Sequence, residues 1–486
     1  MKEQKTILLF FDGPVYNKLE KASVWFEYTF KRLQGFADEM FFVGKKPEKA
    51  FPIESLSFTT GNEFLTWAEG FPLHTQIVIV PAYAPFVQRS LLEEALVRHR
   101  RYLFDYTYAE LPYGLMGEIL DNGIAPFIKK VLPQEIPLFR RSLKEWLGQD
   151  LSSYDCNIVF TDIRLLEYRL SFVPENHYQA SVLEAMIRDK VSFESLQEIQ
   201  SWIESHPASL RQVPTYIEIE LTTLHESDGP FVDVLPRQGE MSEQNLSSLL
   251  REIDSFTPDA VISFGLYGEV FAYTYWDTLI QEVQKRPERR FLFESRGIFL
   301  PQKRLEEVLA FSNVEVVVDI STSSPALFEK WKKPSFSFFP FEGLSGLEFL
   351  HNLSSKERLY LQMTRTHEND RELMRFYEVW KDFSPRIIIK KPDSFGGKQL
   401  GKRVVNLSPV KRTPCVALQR NMVIFIDGNV PLCRQDKDGE YSVGNVFRDG
   451  IKTCWENLNR AYEKQFDKGI STPLCESCDD WWIFSF

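Results

Sequence analysis

From Thr215 onward the chain repeats one unit: a short apolar run of strand length, then a longer amphipathic stretch of helix length. Strand candidates fall at 215–222, 259–264, 290–294, 314–320, 358–364 and 386–390. Helical stretches at 242–255, 274–285, 302–311 and 369–381 separate most of them. Strands spaced by helices are joined by crossovers, so they pair in parallel in an α/β fold. Six such units predict a partial (β/α)6 barrel, whose functional groups belong at the C-terminal ends of the strands. In the first strand Ile217, Ile219 and Leu221 alternate with Glu218, Glu220 and Thr222, so one face carries carboxylates. Buried acids need partners, because a lone buried charge costs several kcal/mol. A polar barrel interior is favoured over a catalytic role for them.

The first third of the chain alternates in the same way. Residues 6–11 form an apolar run that stops at Asp12-Gly13-Pro14; a helix is predicted over 23–33, strands over 39–43 and 76–81, a helix over 91–101 and a strand within 102–108. This pattern predicts a doubly wound parallel sheet. Residues 184–213 are charged and helical in pattern, ending at His206-Pro207 and Val213-Pro214, and read as a connector. At about 150 residues per domain, a chain of this length holds about three domains. The expected divisions are 1–183, 184–213, 214–405 and 406–486. His99, Tyr113 and Glu118 are polar enough to line a pocket, but packing is the favoured role for each.

The chain has 6 Cys among 486 residues. Five of them fall at or beyond Cys415, which scatter explains poorly. Met422 to Ile426 reads as a strand, Asp427-Gly428-Asn429 as a turn, and Val430 to Cys433 as a returning strand. Such a hairpin would bring Cys433 towards Cys415, and Cys475-Glu-Ser-Cys478 adds two thiols from one tight turn. Cys415, Cys433, Cys475 and Cys478 are therefore the candidate metal ligands, and four thiolates suit iron or zinc. Cys454 lies in a helical pattern and reads as core; Cys156 is isolated and reads as structural. A net charge of −11 and a pI near 5.4 argue against nucleic acid or an anionic membrane as partner. No membrane span or leader is expected, and sparse clustered thiols fit a reducing cytoplasm. A protein, a peptide or a small molecule remains as partner.

Cys415, Arg420 to Gly428, Cys433, Gly444-Asn445, Ile451, Trp455 and Cys475-x-x-Cys478 together resemble a SPASM domain, the C-terminal iron–sulfur module of many radical SAM enzymes. The whole layout is similar to the spiro-SPASM proteins. The resemblance implies one auxiliary [4Fe-4S] cluster on the four thiols, a radical SAM-like barrel over 214–405 and a nucleotidyltransferase-like domain over 1–183. Two departures matter. In the first domain the loop Asp12-Gly13-Pro14-Val15-Tyr16 is poor in glycine, and Tyr83 stands where the family has its metal-binding Asp. Nucleotide transfer is therefore not expected. In the barrel, His225, Gly229 and Val232 occupy the positions of the Cys-x-x-x-Cys-x-x-Cys motif, and no Cys lies between 156 and 415. Glycine and valine carry no ligand atom. Gly268 and Glu269 resemble the family's Gly-Gly-Glu-Pro turn, which implies S-adenosylmethionine binding, although a turn needs a glycine for structural reasons alone. Glu294-Ser-Arg-Gly297 and Val316 to Asp319 resemble later strand ends of the barrel. The favoured expectation is a degenerate member with no catalytic residues, retaining its auxiliary cluster for binding, scaffolding or electron transfer. The alternative is an active radical SAM enzyme that modifies a peptide or small molecule.

Overall fold

The computed structural model describes the chain except residues 1–3, 17, 48–50, 134, 140, 149, 190–193, 225–234, 296–299, 323, 325, 328–329, 331–349, 351–352, 354–355, 382–385, 469, 471 and 483–486. His225, Gly229, Val232 and the Arg296-Gly297 pair lie outside the described residues. The chain divides into two compact units, Met1–Ser209 and Leu210–Phe486.

The first unit is built on seven strands: β1 (Thr6–Phe11), β2 (Glu39–Val43), β3 (Glu54–Leu56), β4 (Gln76–Pro81), β5 (Tyr106–Ala109), β6 (Glu118–Asp121) and β7 (Cys156–Val159). Their order in the sheet is β3-β2-β1-β4-β6-β5-β7. All residues of β1 and β4 are buried, as continuous apolar runs covered on both faces require. The sheet is not wholly parallel: β6 runs antiparallel to both β4 and β5. The reason is the link before it. Residues 110–117 are too short for a crossover, which takes a dozen or more residues.

Packing accounts for the three polar side chains weighed in this region. His99 is buried, its Nδ1 2.8 Å from Thr107 Oγ1, and burial lowers its pKa to about 4. Glu118 accepts hydrogen bonds from Tyr106 Oη at 2.6 Å and the Leu143 amide at 2.7 Å. Tyr113 lies under the Arg141 guanidinium, 5.4 Å from its ring centroid.

The second unit carries β8 (Tyr216–Ile219), β9 (Val261–Phe264), β10 (Phe291–Ser295), β11 (Val314–Asp319), β12 (Leu359–Thr364), β13 (Ile387–Lys390) and β14 (Asn421–Ile424). They form one sheet in the order β13-β12-β11-β10-β9-β8-β14, with every neighbouring pair parallel. Helices Glu243–Phe256, Trp276–Gln284, Gln302–Leu309 and Leu373–Trp380 intervene. The helix Glu243–Phe256 starts where Ser242 accepts the Asn245 amide, and it buries Leu246, Leu249, Leu250 and Ile253 at helical spacing.

The sheet is strongly curved. β8 and β13 are five strand steps apart, about 24 Å in a flat sheet. Yet one guanidinium, that of Arg434, stands 2.7 Å from Glu218 on β8 and 4.0 Å from Asp393, three residues beyond β13. Only a sheet rolled inward brings its two sides that close.

The hairpin expected over 422–433 closes only at its turn, where the Phe425 amide donates to Asn429 O at 2.9 Å, and does not extend into a ladder between the two expected strands. The turn is present: the Gly428 amide bonds Phe425 O at 2.9 Å and Gly428 takes φ +84. But β14 pairs with β8, joining Met422 to Ile217 and Ile424 to Ile219. The returning strand β15 (Asn429–Val430) pairs instead with β16 (Gly444–Asn445), antiparallel. An apolar strand beside an open edge of a large sheet gains a full ladder, whereas a two-residue return offers almost none. Among the described residues no helix is long and apolar enough to cross a membrane.

Candidate functional site

Short elements hold each of the four candidate thiols. Cys415 precedes the helix Val416–Arg420, and its amide donates to Gln465 Oε1 at 2.6 Å. Cys433 sits in a loop wound around Asp436, whose carboxylate accepts the amides of Leu432, Glu440 and Tyr441 at 3.3, 3.0 and 3.0 Å. Cys475 lies in the single turn Pro473–Glu476, within 3.4 Å of Thr472 Oγ1. Cys478 follows it and accepts the Asp480 amide at 3.4 Å.

The fold gathers these thiols. Burial pushes Cys433 well above the ordinary thiol range, and Cys478, Cys415 and Cys475 each push it further. Burial also pushes Cys415 up to about 11, with Cys475 adding to it, while the amides of Leu418 and Ala417 pull the other way. Burial and then Asp480, Cys415 and Cys475 raise Cys478. Four thiolates placed together under cover repel one another, and a positively charged group between them removes that penalty.

All six Cys are free thiols. Among the described residues no group of three or more His, Cys, Asp or Glu stands ready to hold a metal ion as placed. The four thiols thus lie within electrostatic reach of one another without converging on one point. The segment directly after Cys478 is also tied down. Lys391 reaches Asp479 at 3.0 Å and Asp480 at 2.5 Å, and Arg403 reaches Asp479 at 2.8 Å. Of the aromatic tail, Trp481 is buried and its carbonyl accepts the Val416 amide, while Trp482 donates to Ser408. Residues 483–486 lie outside the described part. Cys454 is fully buried in the helix Ile451–Asn457, as its pattern predicts.

A second polar cluster lies at the C-terminal ends of the strands of the large sheet, and the sequence did not announce its cations. Arg434, next to Cys433, places its guanidinium 2.7 Å from Glu218, 3.9 Å from Glu294 and 4.0 Å from Asp393. Neither oxygen of Glu218 accepts a well-directed hydrogen bond, so charge more than direction holds that pair. Burial raises Glu218 to about 7 against the pull of Arg434 and Lys390, with Glu294 and Asp393 adding to the rise. Asp393 goes the other way. Burial would raise it, but Lys390 and Arg434, with a hydrogen bond from Gln435, hold it well below the usual carboxylate range. Gln435 stitches the two segments: its Nε2 donates to Asp393 Oδ1 at 2.9 Å, and its Oε1 accepts the Phe395 amide at 2.7 Å.

Glu220 is fully buried and paired with Arg237 through two contacts of 2.6 and 2.8 Å. Glu218 on β8 and Glu220 just beyond it therefore both have cationic partners, which fits a polar interior. The cavity left among Glu294, Asp319, Lys390, Asp393 and Arg434 measures about 50 Å³.

Gly268 and Glu269 sit at this end of the sheet. A Cβ on Gly268 would lie 1.7 Å from Thr222 O, so the residue is glycine because the backbone after β8 passes against it. Glu269 is fully buried; its carboxylate accepts the Phe271 amide and the Ser295 hydroxyl, both at 3.1 Å. Both residues have structural duties.

In the first unit, Tyr83 donates its hydroxyl to Asp12 at 2.8 Å. Beside them a cavity of about 770 Å³ opens beyond β1 and β2, lined by Asp12, Phe58, Phe139, Arg141 and Glu175 among others. Arg141 is committed to Glu175 through its Nε at 2.8 Å.

Residues 415–479 match the family model of SPASM, described as an iron–sulfur cluster-binding domain. An uncharacterised protein of Treponema pallidum (strain Nichols) is 26% identical over 357 residues, covering 70% of this chain and 98% of its own. Two solved structures are similar in part. BtrN in complex with AdoMet and 2-DOIA has 17% identity, covers 55% of this chain and 93% of its own, and gives a TM-score of 0.37. Streptococcus suis SuiB bound to precursor peptide SuiA has 10% identity, covers 59% and 82%, and gives 0.43.

Proposed function

We propose, for a chain whose residues 415–479 are a SPASM iron–sulfur cluster-binding domain, that it is a degenerate relative of the radical SAM enzymes holding a single [4Fe-4S] cluster. Cys415, Cys433, Cys475 and Cys478 are its ligands in this reading. The observation that carries it is the nearness of these four thiols, two buried and two half-buried, each of which bears electrostatically on at least one of the others. Zinc suits the same donors; the family model favours iron. Amides directed at Cys415, Cys433 and Cys478 are the kind of donors that adjust the potential of a thiolate-bound cluster. Such a cluster supplies one-electron chemistry or a structural cross-link.

The chain's own residues support the loss of the radical step. The barrel loop has no thiol to offer, because no Cys lies between 156 and 415. The four C-terminal thiols, if all ligating, leave no open iron. Gly268 and Glu269, the turn that resembles a cofactor site, are explained by the close approach of Thr222 and the capping of Phe271. The rolled parallel sheet is read as the partial (β/α)6 barrel, and residues 1–183 as a nucleotidyltransferase-like domain that no longer transfers nucleotides. The cluster then serves binding, scaffolding or electron transfer towards a protein, a peptide or a small molecule.

Anaerobic reconstitution with iron and sulfide, followed by iron counting and an S-adenosylmethionine cleavage assay with dithionite, tests the reading. The expected result is about four irons per chain and no 5′-deoxyadenosine. About eight irons with 5′-deoxyadenosine released would establish the active-enzyme alternative instead. Colourless protein with one equivalent of zinc would defeat the iron assignment.

A further inference from the structure

We propose that the strand-end carboxylates of the 210–486 unit form a guanidinium-binding site whose resident occupant is the chain's own Arg434, and that this occupancy seats the Cys433 loop on the sheet.

Three acids from three separate places surround one guanidinium. Glu218 lies on β8, Glu294 on β10 and Asp393 beyond β13, at 2.7, 3.9 and 4.0 Å from Arg434. Glu218 is 1% exposed, and the Arg434 side chain 19%. Lys390, the neighbouring cation, is drawn to the other oxygen of Asp393 at 3.3 Å, so it does not replace Arg434 at Glu218 or Glu294. Tyr267 closes the site: it is 1% exposed and donates its hydroxyl to the carbonyl of Arg434 itself. A planar, delocalised cation with several donors can face three carboxylates at once and is more weakly hydrated than an ammonium. That chemistry selects guanidinium over a small ammonium ion. The ligand is covalently part of the chain, and the adjoining space of about 50 Å³ leaves no room for a second one.

Removing the side chain beyond Cβ while keeping the acids empties the site, so a free ligand of the same chemistry should re-enter it. The inference does not rest on the iron reading, and iron content is measured alongside to keep the two apart. In the full-length chain, Arg434→Ala is expected to lower Tm by about 10 °C, the scale for a buried ion pair that loses one partner. Millimolar methylguanidinium is expected to recover about half of that loss through mass action. Tetramethylammonium and sodium chloride at the same concentration should recover none of it, and wild-type Tm should not respond to any of the three. An unchanged Tm in Arg434→Ala overturns the proposal. So does rescue that is absent, equal in the wild type, or matched by the other two salts. Should Arg434→Ala fail to fold, the paired neutral variant Glu218→Gln with Arg434→Met decides. Above pH 8 it is expected to be more stable than Arg434→Met alone, because there the single variant must either keep a buried carboxylate without a partner or bind a proton to Glu218. Equal instability of the two overturns the proposal.

Discussion

Glu218 on β8 and Glu220 just beyond it are residues on which the second unit visibly depends. Glu220 accepts a two-point contact from Arg237, and the guanidinium also lies 3.4 Å from the centroid of the Phe425 ring. Arg237→Ala leaves an enclosed Glu220 that must stay charged without its partner or bind a proton, so urea unfolding above pH 8 should report a loss of about 3–5 kcal/mol. Adding Glu220→Gln should recover most of it, since the stranded charge is then gone. Glu218 makes a different prediction because it titrates. Its folded pKa of about 7 stands above the unfolded value of about 4.3. Between those values the folded chain keeps a proton that the unfolded chain releases, so stability falls as pH rises through that window and levels off above it. The component is on the order of 3 kcal/mol in total. Urea midpoints taken from pH 5 to 8 should show it in the wild type, and Glu218→Gln should lack it.

Strands and helices of the second unit were legible because their signal is local. All six expected strands reappear within a few residues of their predicted ends, from Tyr216–Ile219 to Ile387–Lys390. What failed was partnership. β14 was expected to fold back on its own return, but it adds to the edge of β8, about two hundred residues earlier in the chain. β6 was not foreseen, since a four-residue strand entered by a short link carries little periodicity. The thiols were legible from spacing, whereas Arg434 and Arg237 were not, because nothing in a sequence marks which arginine will meet Glu218 or Glu220. The turn after β9 makes a prediction at this scale. Its Gly268 has no room for a methyl group against Thr222 O, so Gly268→Ala must push β9 and the segment after β8 apart. A loss of at least about 3 kcal/mol is expected by urea unfolding, with or without S-adenosylmethionine. Gly13→Ala, which meets nothing within 4 Å, should change little. Stability of Gly268→Ala close to wild type, with weakened S-adenosylmethionine binding, would return that turn to a cofactor role.

The division into two compact units makes the effect of metal a local question. The four thiols all belong to Leu210–Phe486, and none to Met1–Ser209. Their segment is not an appendage of that unit: it contributes β14 to the large sheet, Arg434 to the strand-end acids and Gln435 to the loop after β13. Free energy of metal binding to a site made by folding is folding free energy for whatever the site is built into. Removal of iron should therefore loosen the sheet β8 to β14 as well as the Cys loops. Hydrogen exchange on the full-length protein, before and after anaerobic chelation, reads this directly. Amides of β8 and β14 are expected to lose protection together with those around Cys433 and Cys475, while β1 and β4 of the first unit keep theirs. Loss confined to the Cys-bearing turns would mean that the sheet stands without the cluster, and the coupling drawn from Arg434 and Gln435 would be wrong. Equal loss in β1 and β4 would mean that the two units do not respond separately, and the assignment of the metal's effect to one of them would fail.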